Sequence, residues 1–368
     1  MHNILTYLDW RGDITFAERG FNSVDNLILC ELVYIDFMDI VPDISTPGSR
    51  STTIRDAYKK IRSRSEKVTA TKGNRFSDVY TSLLEKLAAS DRFGGARLSR
   101  LVDIYDEIRQ MQFAAMCIEL DDNTTYIAFR GTDQTIIGWR EDFSTSFQLI
   151  PAQVEAVRYL EKAMLPDEMY RIGGHSKGGN LAVYAAMMCR DELNPQMIAI
   201  YNNDGPGLSK EILVEEKYSQ IKNKIQRIVP QFCVIGMLFE NDSEKQIVKS
   251  DTYGILQHDS MSWVVNRDRF VTVDDLHPDS KTLNTIISEW LEDMDVAERK
   301  AFTNHFFHAL GASGAKSIFD VPKGGVGSFG SVLMALAKSE KETKVASGKL
   351  AKTVRKEIRG RIQEGFKK

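Results

Sequence analysis

The chain has 368 residues, 27% of them charged and 42% hydrophobic, with a formal charge of −3. That composition excludes fibrous and disordered classes and allows one large core or two smaller ones. The charge is unevenly spread: residues 335–368 carry 11 Lys/Arg against 4 Glu, a local +7 that leaves about −10 on the rest.

Met1 to Trp10 shows no basic cluster followed by an apolar run, and no stretch of about 18 apolar residues occurs, so a cytoplasmic location is expected. Cys30, Cys117, Cys189 and Cys233 lie far apart in apolar surroundings, without CxxC or metal-ligand spacing, and read as buried free thiols. No Walker motif, dinucleotide fingerprint or metal-ligand cluster accompanies the predicted strands, so no cofactor and no metal are expected.

The first hundred residues read as helical and irregular. They hold an apolar run at 26–35 and a loop over 43–76 with a short helix near Ile54 to Ile61. From Met111 the pattern changes. Met111 to Leu120 and Tyr126 to Phe129 are β-rich on either side of Asp121-Asp122-Asn123-Thr124, a predicted hairpin.

The chain then alternates as parallel α/β proteins do. The spacing predicts a helix over 151–163, a strand over 169–173, a helix over 178–189, a strand over 197–202 and a helix over 208–222. A strand over 225–235 follows, with another over 245–250 or 253–257. Amphipathic helices are predicted over 280–294 and 296–310, and 311–330 reads as a Gly- and Ser-rich linker.

Chemistry concentrates at Gly174-His175-Ser176-Lys177-Gly178. A serine hydroxyl is a weak nucleophile at neutral pH and needs exposure on a tight turn, a base, and donors for the developing oxyanion. Here a short strand enters a turn whose flanking positions, 174 and 178, are both glycine, and a helix begins directly afterwards. Ser176 is therefore the candidate nucleophile, and the backbone N–H of Lys177 at the helix N-terminus is a candidate oxyanion donor. The competing reading is a glycine-rich strand-to-helix turn without chemistry.

A second motif, Tyr126-Ile127-Ala128-Phe129-Arg130-Gly131-Thr132-Asp133, ends a strand about 45 residues earlier and is followed by Trp139-Arg140-Glu141-Asp142-Phe143. Together with Gly-His-Ser-Lys-Gly-Gly, these residues resemble the class 3 lipase family of α/β-hydrolases, in a bacterial lipase-like branch, over roughly residues 111–265. The resemblance implies an α/β-hydrolase fold with a mostly parallel central sheet and a serine esterase or lipase activity. It also implies a second oxyanion donor at Thr132, the residue after Arg-Gly.

In that fold the order is serine, acid, histidine, which removes His2 and His175 as bases and leaves His258, His277, His305 and His308. His258, in Gln257-His258-Asp259 before Ser262-Trp263, is the candidate base. His277 sits in an acidic turn, and His305 and His308 lie one turn apart on a predicted amphipathic helix. The family's usual acid position falls in Ile228 to Gly236, which holds no carboxylate. Asp204, at the carboxyl end of the strand one step beyond the elbow, is the candidate acid, with Asp242 and Asp259 behind it. Asn202-Asn203-Asp204-Gly205-Pro206-Gly207 also suits a plain turn.

The simplest division is an N-terminal helical extension (1–110), a catalytic body (111–315), and a linker with a basic helical tail (316–368). Residues 136–139 and 143–150 are apolar and aromatic, as an acyl-binding wall, a cover or core packing would be; related lipases carry their lid near this place. The tail suits an anionic membrane surface or a solvated segment; nucleic acid is not the expected partner. The leading expectation is hydrolysis of acyl esters, including lipids, with thioesters and amides open to the same machinery. The rival is a hydrolase-fold scaffold that binds a membrane or protein through its tail.

Overall fold

The computed structural model describes residues 2–299 apart from 47–49, 65–76, 107, 110, 133–148, 240–243, 293 and 296. The linker and basic tail, most of the helix expected over 296–310, and nearly all of the apolar segment after Thr132 lie outside the described residues. So do Asp242, His305 and His308.

Eight strands form one sheet in chain order: β1 (Thr52–Thr53), β2 (Arg97–Asp106), β3 (Met111–Glu119), β4 (Thr124–Phe129), β5 (Met169–His175), β6 (Met197–Asn203), β7 (Ile225–Pro230) and β8 (Lys245–Val248). β1 to β4 pair antiparallel, and β4 to β8 pair parallel. A separate ribbon joins β9 (Val265–Asn266) and β10 (Arg269–Phe270).

This order decides how the sheet is covered. Right-handed crossovers between consecutive parallel neighbours carry their helices to one face. On that face Ile127, Phe129, Ile172 and Ile200 share a core with the helices Pro151–Ala163, Lys177–Met188 and Glu215–Ile221. The opposite face needs a cover from elsewhere in the chain. Tyr126, Ala128, Ala199, Tyr201 and Ile228 pack there with Leu27 and Ile28 of the helix Ser23–Leu32 and with Trp263 and Phe270. The alternation along β4 (Tyr126 and Ala128 to one core, Ile127 and Phe129 to the other) is the period of two of a strand buried on both sides.

Residues before 111 are therefore not a helical extension beside the sheet. They cover one face together with Trp263 and Phe270 and supply β1 and β2, so the boundary expected at 110 falls inside a β-hairpin. β2 escapes sequence reading because Arg100 adopts φ 53° and the register shifts between Ser99 and Val102, breaking the alternation that marks a strand.

Other expected elements shorten. The helix predicted over 208–222 is formed only at Glu215–Ile221, because the preceding chain is tied down: Asn180 Nδ2 donates to the Pro206 and Gly207 carbonyls, and Gly207 N–H donates to Leu238 O at 2.8 Å. β7 stops at Pro230, which has no N–H to continue a ladder. The alternative strand at 253–257 is a 3-10 turn, Gly254–His258.

One buried ion pair anchors the N-terminal layer. Arg92 donates to Asp25 Oδ1 and Oδ2 at 2.8 and 2.6 Å, and also to the carbonyls of Ile14, Thr15, Arg19 and Gly20, while its guanidinium lies 3.9 Å over the Phe16 ring. Replacing Arg92 by leucine leaves a buried carboxylate and four carbonyls without this donor. The expected loss is about 3–5 kcal/mol in chemical denaturation.

Cys30, Cys117, Cys189 and Cys233 are all buried free thiols. Among the described residues no helix is long and apolar enough to cross a membrane, and no cluster of three or more His, Cys, Asp or Glu is placed to hold a metal ion.

Candidate active site

β5 runs between β4 and β6, and its chain reverses at Ser176 into the helix Lys177–Met188. Ser176 adopts φ 57°, ψ −129°, a conformation that side chains bearing Cβ populate sparsely. Its N–H donates to Asn203 O at 2.9 Å, and Asn203 Nδ2 donates to Gly174 O at 3.1 Å, so the strained turn is clamped by the end of β6.

The two glycines are needed for contact with the neighbouring strand. A Cβ at Gly174 would collide with the Gly178 carbonyl, and one at Gly178 with the carbonyl of Phe129 at the end of β4. Gly178→Ala must push backbone against backbone. It is expected to cost about 1–3 kcal/mol in thermal unfolding and to displace Ser176.

The Arg-Gly-Thr turn lies against this elbow. A Cβ at Gly131 would stand 3.3 Å from Ser176 Cβ and collide with the His175 carbonyl, so the chain passes close beside the serine before reaching half-buried Thr132. Arg130 holds the turn through two bonds of 2.7 Å to Asp103 on β2. Lys177 is fully buried as the first residue of its helix, and its Nζ donates to Gln112 O at 3.0 Å.

Asp204 follows β6 at φ 51°, a left-handed position that Asp tolerates better than most residues. The turn is formed, and it aims the carboxylate at His258. Asp204 Oδ2 lies 2.6 Å from His258 Nδ1, while Oδ1 accepts from Gly236 N at 3.2 Å and from Cys233 Sγ at 2.9 Å. Gly236 is held in turn, its carbonyl accepting from the Arg227 guanidinium. His258 Nε2 lies 2.9 Å from Ser176 Oγ. Serine, imidazole and carboxylate form one line of hydrogen bonds, and all three are buried.

The remaining candidates lie apart from this line. Asp259 accepts from Met261 N within its own 3-10 turn, and burial raises its carboxyl above the usual range. His277 is exposed beside Asp279. His175 fills a role that motif reading does not supply: Nε2 donates to the His258 carbonyl at 2.9 Å, and its ring lies 4.8 Å from that of His258. Burial first, then the neighbouring His258, keeps His175 far below the ordinary imidazole range and hence neutral.

Several supporting residues went unseen in the sequence. Asn26 Nδ2 donates to Asn203 Oδ1 at 2.8 Å, and Gln153 Nε2 donates to Asn180 Oδ1 at 2.9 Å behind the elbow helix. Glu31 Oε1 accepts from Ser260 Oγ at 2.6 Å. A usable signal exists for two of them: Asn26 and Glu31 sit in a strongly apolar helix, where a polar side chain must find a buried partner.

The fold and this cluster define an α/β protein whose eight-stranded, mostly parallel sheet presents a serine on a strand–turn–helix elbow. The chain belongs to the Mbeg1-like family, whose model matches residues 87–308. No curated protein matches it. Among solved structures it is similar to M37 lipase (16% identity, TM-score 0.32, covering 45% of this chain and 64% of that one). It is also similar to a lipase from Rhizopus microsporus var. chinensis (15% identity, TM-score 0.32, covering 46% and 66%). The chain thus spans slightly less than two thirds of each lipase.

Proposed function

We propose that this protein is a serine hydrolase of the α/β-hydrolase fold that cleaves carboxylic acyl esters through an acyl-enzyme. The observation that carries the reading is the buried line Ser176 Oγ, His258 Nε2, His258 Nδ1, Asp204 Oδ2, at 2.9 and 2.6 Å.

Asp204 accepts a hydrogen bond from Nδ1–H of His258 and so leaves the Nε2 lone pair facing the serine. His258 takes the Ser176 proton as Oγ attacks the acyl carbon, and Asp204 supports the imidazolium that forms. The oxyanion develops beside the helix N-terminus, where the backbone N–H of Lys177 and the N–H or hydroxyl of Thr132 receive it. His258 returns the proton to the leaving alcohol. It then activates water to release the acid.

The substrate class is acyl esters of small or medium size, lipids among them, with residues 335–368 as a peripheral membrane contact. The rival scaffold reading draws on that basic tail and on the lack of a carboxylate over 228–236; the Asp204 carboxylate 2.6 Å from His258 Nδ1 supports the hydrolase.

A fluorophosphonate probe separates the two. It is expected to label the native protein on the peptide containing Ser176, and a protein that stays unlabelled is a scaffold. A panel of chromogenic esters, thioesters and anilides then assigns the acyl class.

A further inference from the structure

The helix Ser23–Leu32 carries a carboxylate that the mechanism above does not use. Glu31 is 2% exposed and lies before the region matched by the family model. Its two oxygens are held from different elements: Oε2 accepts from Tyr80 Oη at 2.8 Å, and Oε1 from Ser260 Oγ at 2.6 Å, two residues beyond His258. Oε1 also lies 3.7 Å from His175 Nδ1, and the other nitrogen of that ring donates to the His258 carbonyl. Glu31 thus holds the His258 loop directly at residue 260, and the His175 ring, which bonds the same loop at residue 258, packs beside it.

We infer that Glu31 is a positioning residue for the base, holding the His258 loop in register with Ser176 and favouring the imidazolium through its charge. This rests on reading Ser176 and His258 as nucleophile and base.

The electrostatics fit that role. Burial pushes the Glu31 carboxyl up to about 7, with Asp259 adding to the rise, while the Ser260 and Tyr80 hydroxyls and His258 oppose it. The titratable groups around it are Tyr80, with Tyr34 behind, from the N-terminal layer, the Cys30 thiol on its own helix, held protonated by burial, His175 from β5, and His258 and Asp259 from the base loop. Tyr80 and Tyr34 carry no charge at neutral pH, and His175 is neutral. Among the described groups facing it, the charge that answers an ionised Glu31 is therefore the imidazolium of His258, which forms as Ser176 gives up its proton. A group kept near neutrality by burial and facing one reacting residue is characteristic of functional sites.

Glu31→Gln tests this, because the carboxamide still bonds both hydroxyls but carries no charge. The readout is the rate of Ser176 labelling by a fluorophosphonate against pH, with unfolding followed on the same samples. The variant is expected to label about tenfold more slowly on its plateau, with the acid limb of its profile moved to lower pH, since His258 has lost a stabilising anion.

Stability supplies a second signature. A carboxyl raised from its unfolded value towards 7 binds a proton in the native state that the unfolded chain releases between those limits. Native stability from this group is thus full below the unfolded value and lost as pH rises through the folded one. Glu31→Gln removes that decline. If Glu31→Gln does not fold, Ser260→Ala replaces it, expected to label slowly at pH 7 and recover towards pH 9 as Glu31 ionises later. Unchanged rate and acid limb in the variant overturn the inference while the reading of Ser176 stands. A wild-type chain that does not label overturns both.

Discussion

Ser176→Ala is expected to reduce ester turnover by on the order of 10⁵-fold or more and to abolish fluorophosphonate labelling, with the melting temperature nearly unchanged. The alanine keeps the strained backbone and the clamp from Asn203, and removes only the oxygen that bonds His258. Ser176→Gly is expected to be equally inactive yet more stable. At φ 57°, ψ −129° the backbone strain costs roughly 1–3 kcal/mol for a residue with a side chain. Glycine relieves it and adds back about 0.5–1 kcal/mol of unfolded-state entropy. The net gain of about 1 kcal/mol corresponds to a rise of about 2 °C for a chain of this size. Calorimetry on the two variants separates strain from chemistry. A glycine variant that melts below the alanine variant would show that the elbow stores no strain.

Asp204→Asn is expected to lower kcat by about four orders of magnitude, with KM little changed and the fold intact. The reason is the second oxygen. Oδ1 accepts from the Gly236 N–H and the Cys233 thiol, so an asparagine must place its own carbonyl there. Its NH₂ then faces His258 Nδ1 and forces the imidazole proton onto Nε2, where it points at Ser176 and no lone pair remains to act as base. Steady-state kinetics on a chromogenic ester gives the result directly. His277→Gln is the matching control, because that ring lies at the surface beside Asp279, and turnover should not change. A wild-type rate in Asp204→Asn would return the acid role to Asp242 or Asp259.

The parts of the molecule legible in the sequence are those built from neighbouring residues. The β3–β4 hairpin, the run from the helix Pro151–Ala163 through β5 and the elbow helix to β6, and the need for glycine at 174 and 178 all follow from short-range pattern and sterics. Residues 97–106 were lost because Arg100 turns the chain out of alternation. The helix expected over 208–222 is shorter than its pattern: hydrogen bonds from Asn180, in another element, fix the chain at 206–207 just before it, and 209–213 closes only a turn on Ser209 O.

What the sequence determined by itself was the elbow, with Ser176 between two glycines on a turn too tight for a Cβ at either, and the set of residues from which a candidate base and acid are drawn. Which of them stand within hydrogen-bond reach of Ser176 and of one another is a matter of tertiary structure. His258 and Asp204 lie 82 and 28 residues from Ser176, and hydrogen bonds as short as 2.6 Å arise only where two strand ends and a 3-10 turn meet. The tertiary fold likewise decided that the N-terminal hundred residues form the second face of the sheet. Strands paired in chain order with crossovers of one hand leave that face bare, and the buried Asn26 and Glu31 of its covering helix then reach the elbow and the base loop.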